Sequence, residues 1–514
     1  MAHRCEPIII VGAGPTGLVL ALRLRRLGVP FRIIDEHDGP GEESRALVIH
    51  ARTLEFYAQI GLADRLIAAG TRVENLRLRE AGEDVASISL REMGEGLSPY
   101  PYVLCLPQDE HERLLVDAVS QSGVTVEWGT RLDRLEPGTD AVDVALSKKD
   151  ATQERATFAY VAGCDGARSR VRAGIGAEFG GGTYDRLYYV ADVKPSRAPG
   201  PDLIIALDRG NFGLMLPARH GETERIIGYV PQDRERHASF EDVRHDAERL
   251  LGVDVEEVNW FSTYRVHHRV ASRFRSGRCF LLGDAGHLHS PVGGQGMNTG
   301  IGDAVNLSWK LAAALADDAS PALLDSYEPE RITFARSLVA TTDRAFEIVS
   351  SEGFFGRVFR SWLMPHGLPT MAHFGAGRRT IFGVLSQIRV AYPHSPLSEG
   401  RAGGIAGGDR LPWVPAADNF RSLTGLDWQI HGFGDLAKPV LEAADALGLS
   451  VRTFAWTEAA ERAGFRRGAG YLVRPDAYVA LAFDGDAELL RTYVARVGLR
   501  HADGSVAQGP SDGA

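Results

Sequence analysis

The chain has 514 residues, 44% of them hydrophobic and 24% charged, with 57 Lys and Arg against 67 Asp and Glu for a net charge of −10. That length gives roughly two to four domains with volume for a core, and the ordinary apolar fraction excludes a disordered chain, a fibrous repeat and a bare coiled coil. The acidic balance argues against general nucleic-acid binding, whose sequence-independent affinity comes from basic residues meeting phosphates.

Residues 7–11 (PIIIV) predict a short buried strand, 15–27 a helix with Leu18, Leu22 and Leu27 toward a core, and 31–35 (FRIID) a second strand. Two strands joined by a crossover helix lie parallel in one sheet. The apolar run from Pro7 to Leu22 is broken by Gly12, Gly14, Pro15 and Gly17, has no small-residue cleavage site and runs into RLRR, so it does not read as a leader. No 18-residue run elsewhere is both uncharged and predominantly apolar, and no membrane span is expected. Residues 110–122 read as a helix, 124–128 and 142–146 as strands, and 158–164 as a buried strand. From about 180 to 270 the chain alternates (LIIALD, FGLMLP, RIIGYV, WFSTYRV), the pattern of an antiparallel sheet with one face covered. Residues 279–284 (CFLLGD) return to a buried strand, and 301–318 and 321–350 are helical. Pro, Ser and five Gly within 393–412 predict a linker, 426–500 a small separate α/β unit, and 502–514 a disordered tail. Cys5, Cys105, Cys164 and Cys279 form no CxxC or CxxH pair, so neither a disulfide nor a metal site is expected, and a reducing cytoplasm fits.

Gly12-Ala13-Gly14-Pro15-Thr16-Gly17 is a GxGxxG string between a strand and a helix. The first glycine allows the tight turn, the second lets a pyrophosphate reach the backbone, and the third lets helix and strand pack closely. The helix N-terminus then offers free N–H groups and partial positive charge to the phosphates. Asp35 ends the next strand 18 residues after Gly17, where a carboxylate accepts from ribose hydroxyls and repels a 2′-phosphate. Glu36 competes for that role. Two further glycine–carboxylate strings follow strands. One is Gly163-Cys164-Asp165-Gly166; the other is Gly283-Asp284-Ala285-Gly286-His287, running on to Pro291-Val292-Gly293-Gly294-Gln295-Gly296-Met297-Asn298. A ligand held at three such distant places is long, as FAD is. Helix amides starting near Asn298 would favour negative charge on its far end.

In this order the three strings resemble the class A flavoprotein monooxygenases, the para-hydroxybenzoate hydroxylase-like family of aromatic and polyketide hydroxylases, with the stretch 267–312 the most specific part. The resemblance spans about residues 5–345, and YLVRPDAYVA (471–480) is similar to the thioredoxin-like C-terminal domain of phenol and polyketide-tailoring hydroxylases, here without CxxC. It implies an α/β fold with a Rossmann-like FAD-binding domain of the GR2 type (1–75, 98–180 and 270–392, with a helical extension) and a mostly antiparallel substrate domain (76–97 and 181–269). The linker 393–412, a thioredoxin-like domain at 413–501 with a packing or dimerisation role, and the tail 502–514 follow.

Residue by residue, the resemblance assigns Gly12, Gly14, Pro15, Thr16 and Gly17 to the pyrophosphate turn and Asp35 to the adenosine ribose. It assigns Arg45 and Gln108 to cofactor contacts, and Asp165 to the pyrophosphate and to NAD(P)H use. Asp284 falls to the ribityl chain, and Pro291 to Asn298, with Gly293, Gly296 and Met297, to the loop flanking the isoalloxazine; Gly286 stands where many members have Ala. It further implies reduction of FAD by transiently docked NADH or NADPH and transfer of one oxygen from O2, through a flavin C4a-hydroperoxide, to an aromatic or polyketide-like small molecule. The cofactor carries the hard step while the protein supplies position and dryness. Phe212, Leu214, Met215 and Tyr229 are candidates for lining the substrate pocket, and Tyr264, Arg265, His267 and His268 for activating a phenol; no catalytic base is assigned. Baeyer–Villiger or epoxidising oxygenases and a non-redox cyclase with structural FAD are alternatives on the same scaffold. The WxWxIP string of flavin halogenases is absent. The expected state is a monomer or homodimer.

Overall fold

A computed structural model describes residues 6–41, 46–80, 82–91, 93–208, 211–219, 222–290, 293–316, 321–350 and 375–499. The chain divides into two compact units, 1–306 with 331–390 and 307–330 with 391–514.

In the first unit a seven-stranded sheet contains β1 (Glu6–Val11), β2 (Arg32–Ile34), β8 (Thr130–Pro137), β9 (Val142–Lys148), β10 (Gln153–Gly163), β16 (Arg275–Ser276) and β17 (Cys279–Leu281). Its main order is β16-β17-β10-β1-β2, and β8 and β9 form a hairpin beside β10. Ile8, Ile9 and Ile10 are all fully buried, which marks a strand covered on both faces. Strands β17, β10, β1 and β2 run parallel. Their register sets Leu281, Gly163, Val11 and Ile34 side by side, so four strand ends finish level. Helix α1 (Pro15–Arg26) crosses between β1 and β2, as the βαβ pattern requires. Of 124–128, only Glu127 bridges the sheet, to Ile34; β8 is the strand there instead.

An eight-stranded sheet, ordered β18-β15-β11-β14-β13-β12-β5-β6, follows. It comprises β5 (Asn75–Glu80), β6 (Glu83–Ser89), β11 (Phe179–Pro195), β12 (Asp202–Asp208), β13 (Asn211–Ala218), β14 (Thr223–Tyr229), β15 (Val255–Ala271) and β18 (His287–Leu288). All its pairings are antiparallel except β12 with β5. A small sheet, β3 (Val48–Ile49), β7 (Val103–Cys105) and β4 (Thr71–Val73), is flanked in sequence by helices α2 (Ala51–Gln59), α3 (Ala63–Ala69) and α4 (Gln108–Gln121). Helix α5 (Arg170–Gly174) follows the second glycine string, and α6 (Phe240–Leu251) covers one face of the large sheet. Ser239 and Asp242 form the capping box of α6, and Gly252 ends it in the left-handed region at φ +62. Helix α7 (Gln295–Leu315) begins where the third string ends.

The second unit holds a six-stranded sheet ordered β20-β19-β24-β23-β21-β22. It comprises β19 (Glu399–Ala402), β20 (Ile405–Ala406), β21 (Gln429–Phe433), β22 (Ser450–Phe454), β23 (Gly470–Val473) and β24 (Val479–Phe483). β21 and β22 are parallel with a helix, Lys438–Ala446, between them; β23 and β24 form a hairpin, and Ala487–Val497 is the last helix. The stretch 393–412 differs from the linker expected of it: β19 and β20 lie inside it, and β19 pairs with β24. Its glycines serve close backbone approach, since a Cβ on Gly407 would collide with the Glu399 backbone and Gly408 sits at φ +94. The tail 502–514 lies outside the described residues.

Candidate functional site

The three glycine–carboxylate strings emerge from the level ends of β1, β10 and β17, at the carboxyl edge where open α/β sheets take ligands. Backbone bonds step across that edge: Gly12 N donates to Ile34 O at 2.8 Å, Cys164 N to Val11 O at 2.8 Å and Leu282 N to Gly163 O at 2.9 Å. Gly12 has φ +104, and a Cβ there would strike the Cys164 carbonyl, so the first two turns touch. Thr16 Oγ1 lies 2.8 Å from where a Gly283 Cβ would sit and also abuts Gly300 of α7, so the first turn, the third turn and α7 converge on it.

Gly14 differs from its neighbours. Its backbone is extended (φ −74, ψ −177), it caps α1 with no side-chain cap, and a Cβ on it would meet no atom of the described residues within 4 Å. Open space therefore stands over an uncapped helix N-terminus, with Pro15 already occupying the position where an amide is dispensable. Asp35 Oδ2 accepts from Ala13 N at 2.7 Å, and Oδ1 accepts from His37 N at 2.9 Å and meets His37 Nδ1 at 2.7 Å. The hydrogen bond to Asp35 raises the His37 pKa. Oδ2 keeps lone-pair capacity for a hydroxyl, whereas Glu36 is exposed.

The Asp165 carboxylate is spent within its own turn. It accepts from Ser169 Oγ at 2.6 Å, Arg170 N at 2.7 Å and Val171 N at 3.1 Å, securing the start of α5. Burial raises its pKa against those bonds. Its backbone N is 2.9 Å from the position of a Gly12 Cβ, so Asp165 reaches the groove by its main chain. Asp284 stands exposed on the one-turn helix Gly283–Ala285. Gln108 opens α4; its Oε1 accepts from Ala46 N at 3.0 Å and its Nε2 donates to Glu112 Oε1 at 2.7 Å. It thereby braces the chain beside Arg45, which lies outside the described residues, as Pro291 does.

At the far end Gly293 (φ +78) and Gly294 (φ +63) lead into α7, whose first turn carries Gly296, Met297 and Asn298. Asn298 is fully buried and staples this loop to β3: Nδ2 donates to Val48 O at 2.9 Å and Gly294 O at 2.8 Å, and Oδ1 accepts from His50 N at 2.9 Å. The third turn is anchored by Asp303, a residue sequence reasoning missed. Its Oδ2 accepts from Gly283 N at 2.9 Å and meets His287 Nε2 at 2.9 Å, while Oδ1 accepts from Arg331 Nε at 2.5 Å. Burial pushes the Asp303 pKa up, but Arg331 and His287 outweigh it and hold the carboxylate below its usual range.

Tyr188, Tyr229 and Tyr264 cluster on the face of the large sheet opposite α6, with centroids 4.9 Å (188–229) and 5.7 Å (188–264) apart; Phe212 lies 5.8 Å from Tyr229. Leu214 shares that face beside Ile227. Met215 does not: it is fully buried against α6 with Leu250 and Leu251. His267 bonds Thr183 Oγ1 at 2.7 Å, His268 packs on Tyr184, and Arg265 pairs with Glu235 at 2.7 Å. Arg265 and His267 are thus held by partners of their own, while Tyr264 and, through Tyr184, His268 pack with the tyrosine cluster.

The arrangement fits FAD. The space over Gly14 admits a diphosphate, an exposed carboxylate stands two strands away, and bare glycines precede a second helix N-terminus. A family model for the FAD binding domain matches residues 6–342. The chain is 36% identical over 413 residues to the 6-methylpretetramide 4-monooxygenase of Streptomyces rimosus, covering 78% of this chain and 72% of that one. The anhydrotetracycline hydroxylase OxyS of Streptomyces rimosus superposes with a TM-score of 0.78 at 27% identity over 96% of this chain and 99% of its own. The flavin-dependent monooxygenase PieE, solved with FAD and substrate, gives 0.77 at 26% over 97% and 100%. The chain belongs to the FAD-binding domain family and, within it, to the FAD-dependent aromatic-type monooxygenases.

Proposed function

We propose that this monooxygenase draws electrons from NADH or NADPH and inserts one oxygen atom of O2 into an electron-rich aromatic or polyketide-like small molecule. The observation that carries the reading is the level edge on which three turns meet, continuous with the glycine loop at α7. Gly12, Gly14, Pro15, Thr16 and Gly17 hold the pyrophosphate, Asp35 the ribose and Asp284 the ribityl chain. Gly293, Gly296, Met297 and Asn298, with Pro291, hold the ring. Bound FAD supplies the electron transfer and oxygen activation. The chain's own part is orientation and polarity: the α7 N-terminus favours negative charge at its mouth. Phe212, Leu214 and Tyr229 offer an apolar, aromatic face to a planar substrate, while Met215 belongs to the core. We also read the βαβ–hairpin–helix order of 429–497 as thioredoxin-like, and the unpaired buried thiols of Cys105 and Cys279 as support for a cytoplasmic setting.

The test is NAD(P)H oxidation by the yellow protein in the presence of phenols and tetracyclic aromatics, with products analysed by mass under 18O2. The expected result is substrate-stimulated oxidation and a product carrying one labelled oxygen. Turnover of a substrate without NAD(P)H consumption would defeat the redox reading and leave a cyclase with structural FAD.

A further inference from the structure

His289 follows β18 on the way to the glycine loop. Its ring stacks on His287 at 6.2 Å and 10°, and His287 in turn stacks on Phe274 at 5.9 Å and 26°. Nδ1 lies 3.0 Å from the Ser290 carbonyl oxygen. A carbonyl only accepts, so Nδ1 carries the proton and Nε2 is left as a bare acceptor. That Nε2 is sealed from solvent and has no hydrogen-bond partner among the described residues. Burial pushes the imidazole pKa down to about 4, which keeps the ring neutral.

The neighbourhood says what the acceptor waits for. Cε1 and Nε2 of His289 are 3.7 and 3.8 Å from where a Cβ on Gly296 would project. Gly296 and Asp303 are seven residues, two turns, apart on one face of α7, and Gly300 between them abuts Thr16. That single face therefore meets the pyrophosphate turn, the third turn through Asp303, and His289. The α7 mouth offers amide donors; His289 adds an acceptor, so the pair complements a ligand edge that carries both carbonyls and an N–H or O–H. A sealed acceptor without a donor costs free energy that a bound donor restores.

We propose that His289 Nε2 accepts a hydrogen bond from the flavin nucleotide, from the ring N3–H or a ribityl hydroxyl, and so is a positioning residue for the cofactor. This rests on the FAD reading above. Deflavinated protein is titrated with FAD and with 3-methyl-FAD, following flavin fluorescence, in the wild type, His289→Leu and His289→Gln. FAD binding to the wild type tests the FAD reading itself. His289→Leu is expected to weaken FAD binding roughly 5- to 100-fold, with His289→Gln, which retains an acceptor at similar reach, recovering most of it. Loss of affinity for 3-methyl-FAD in the wild type assigns the donor to N3–H; retention assigns it to ribityl. An FAD affinity for His289→Leu within twofold of wild type overturns the proposal. If neither variant folds, long-range 1H–15N spectra of histidine-labelled wild type decide. A bare Nε2 that shifts when FAD binds supports the assignment, and a protonated or unmoved Nε2 refutes it.

Discussion

Gly12 and Gly14 stand two residues apart in one string and make opposite demands. Gly12 needs its glycine for the fold, because its φ of +104 and the Cys164 carbonyl both reject a Cβ. Gly14 needs it for whatever passes above, since its φ is ordinary and a Cβ meets nothing. Gly14→Ala should therefore leave the melting temperature of the deflavinated protein within about 1 °C of wild type while lowering FAD affinity tenfold or more. Gly12→Ala should cost the fold itself, on the order of 2–4 kcal/mol, by urea unfolding. Equal melting losses in the two variants would count against the cradle. Such glycines are legible in sequence because their constraint is local. Met215 was not placed correctly, because strict alternation yields two faces but does not say which one α6 covers.

Among elements, the third turn is fixed less by its own residues than by α7. Asp303 gathers Gly283 N, His287 and Arg331 into a network with all three side chains buried. Asp303→Ala leaves a buried guanidinium without its carboxylate, a change that costs roughly 3–5 kcal/mol, and it releases the turn that presents Asp284. Denaturant unfolding and FAD titration should both register the loss, and Asp303→Leu combined with Arg331→Met should recover stability but not cofactor affinity. The strings were legible as strand–turn–helix because each is contiguous. Asp303 was not, because its partners lie 16, 20 and 28 residues away, a separation that no local pattern encodes. The same limit produced the linker reading of 393–412: glycine marks both flexible chain and tight backbone approach, and only the partner, β24, distinguishes them.

At the scale of the molecule, buried imidazoles set the response to acid. Burial lowers the pKa of His50 to about 4 and of His111 to about 3. His289 falls to about 4 and His431 to about 3 for the same reason. Each is neutral in the folded chain and takes a proton in the unfolded one below the ordinary value of about 6.5, so stability falls as pH drops from 6.5 toward 4. Glu224 acts oppositely. Burial, with a smaller contribution from Asp202, raises its pKa to about 8, so the folded state holds its proton between 4.5 and 8 and stability falls as pH rises through that window. Asp165 and Glu112, also raised by burial, act in the same sense as Glu224, but near pH 5 the four imidazoles outweigh these carboxyls and stability rises with pH. Melting temperatures should therefore peak near pH 6.5–7 and drop steeply by pH 5. His50→Asn should flatten the acid limb by about a quarter, and Glu224→Gln should raise the melting temperature at pH 8 while leaving pH 5 nearly unchanged. An acid limb that His50→Asn leaves unaltered would show that burial does not hold this imidazole neutral.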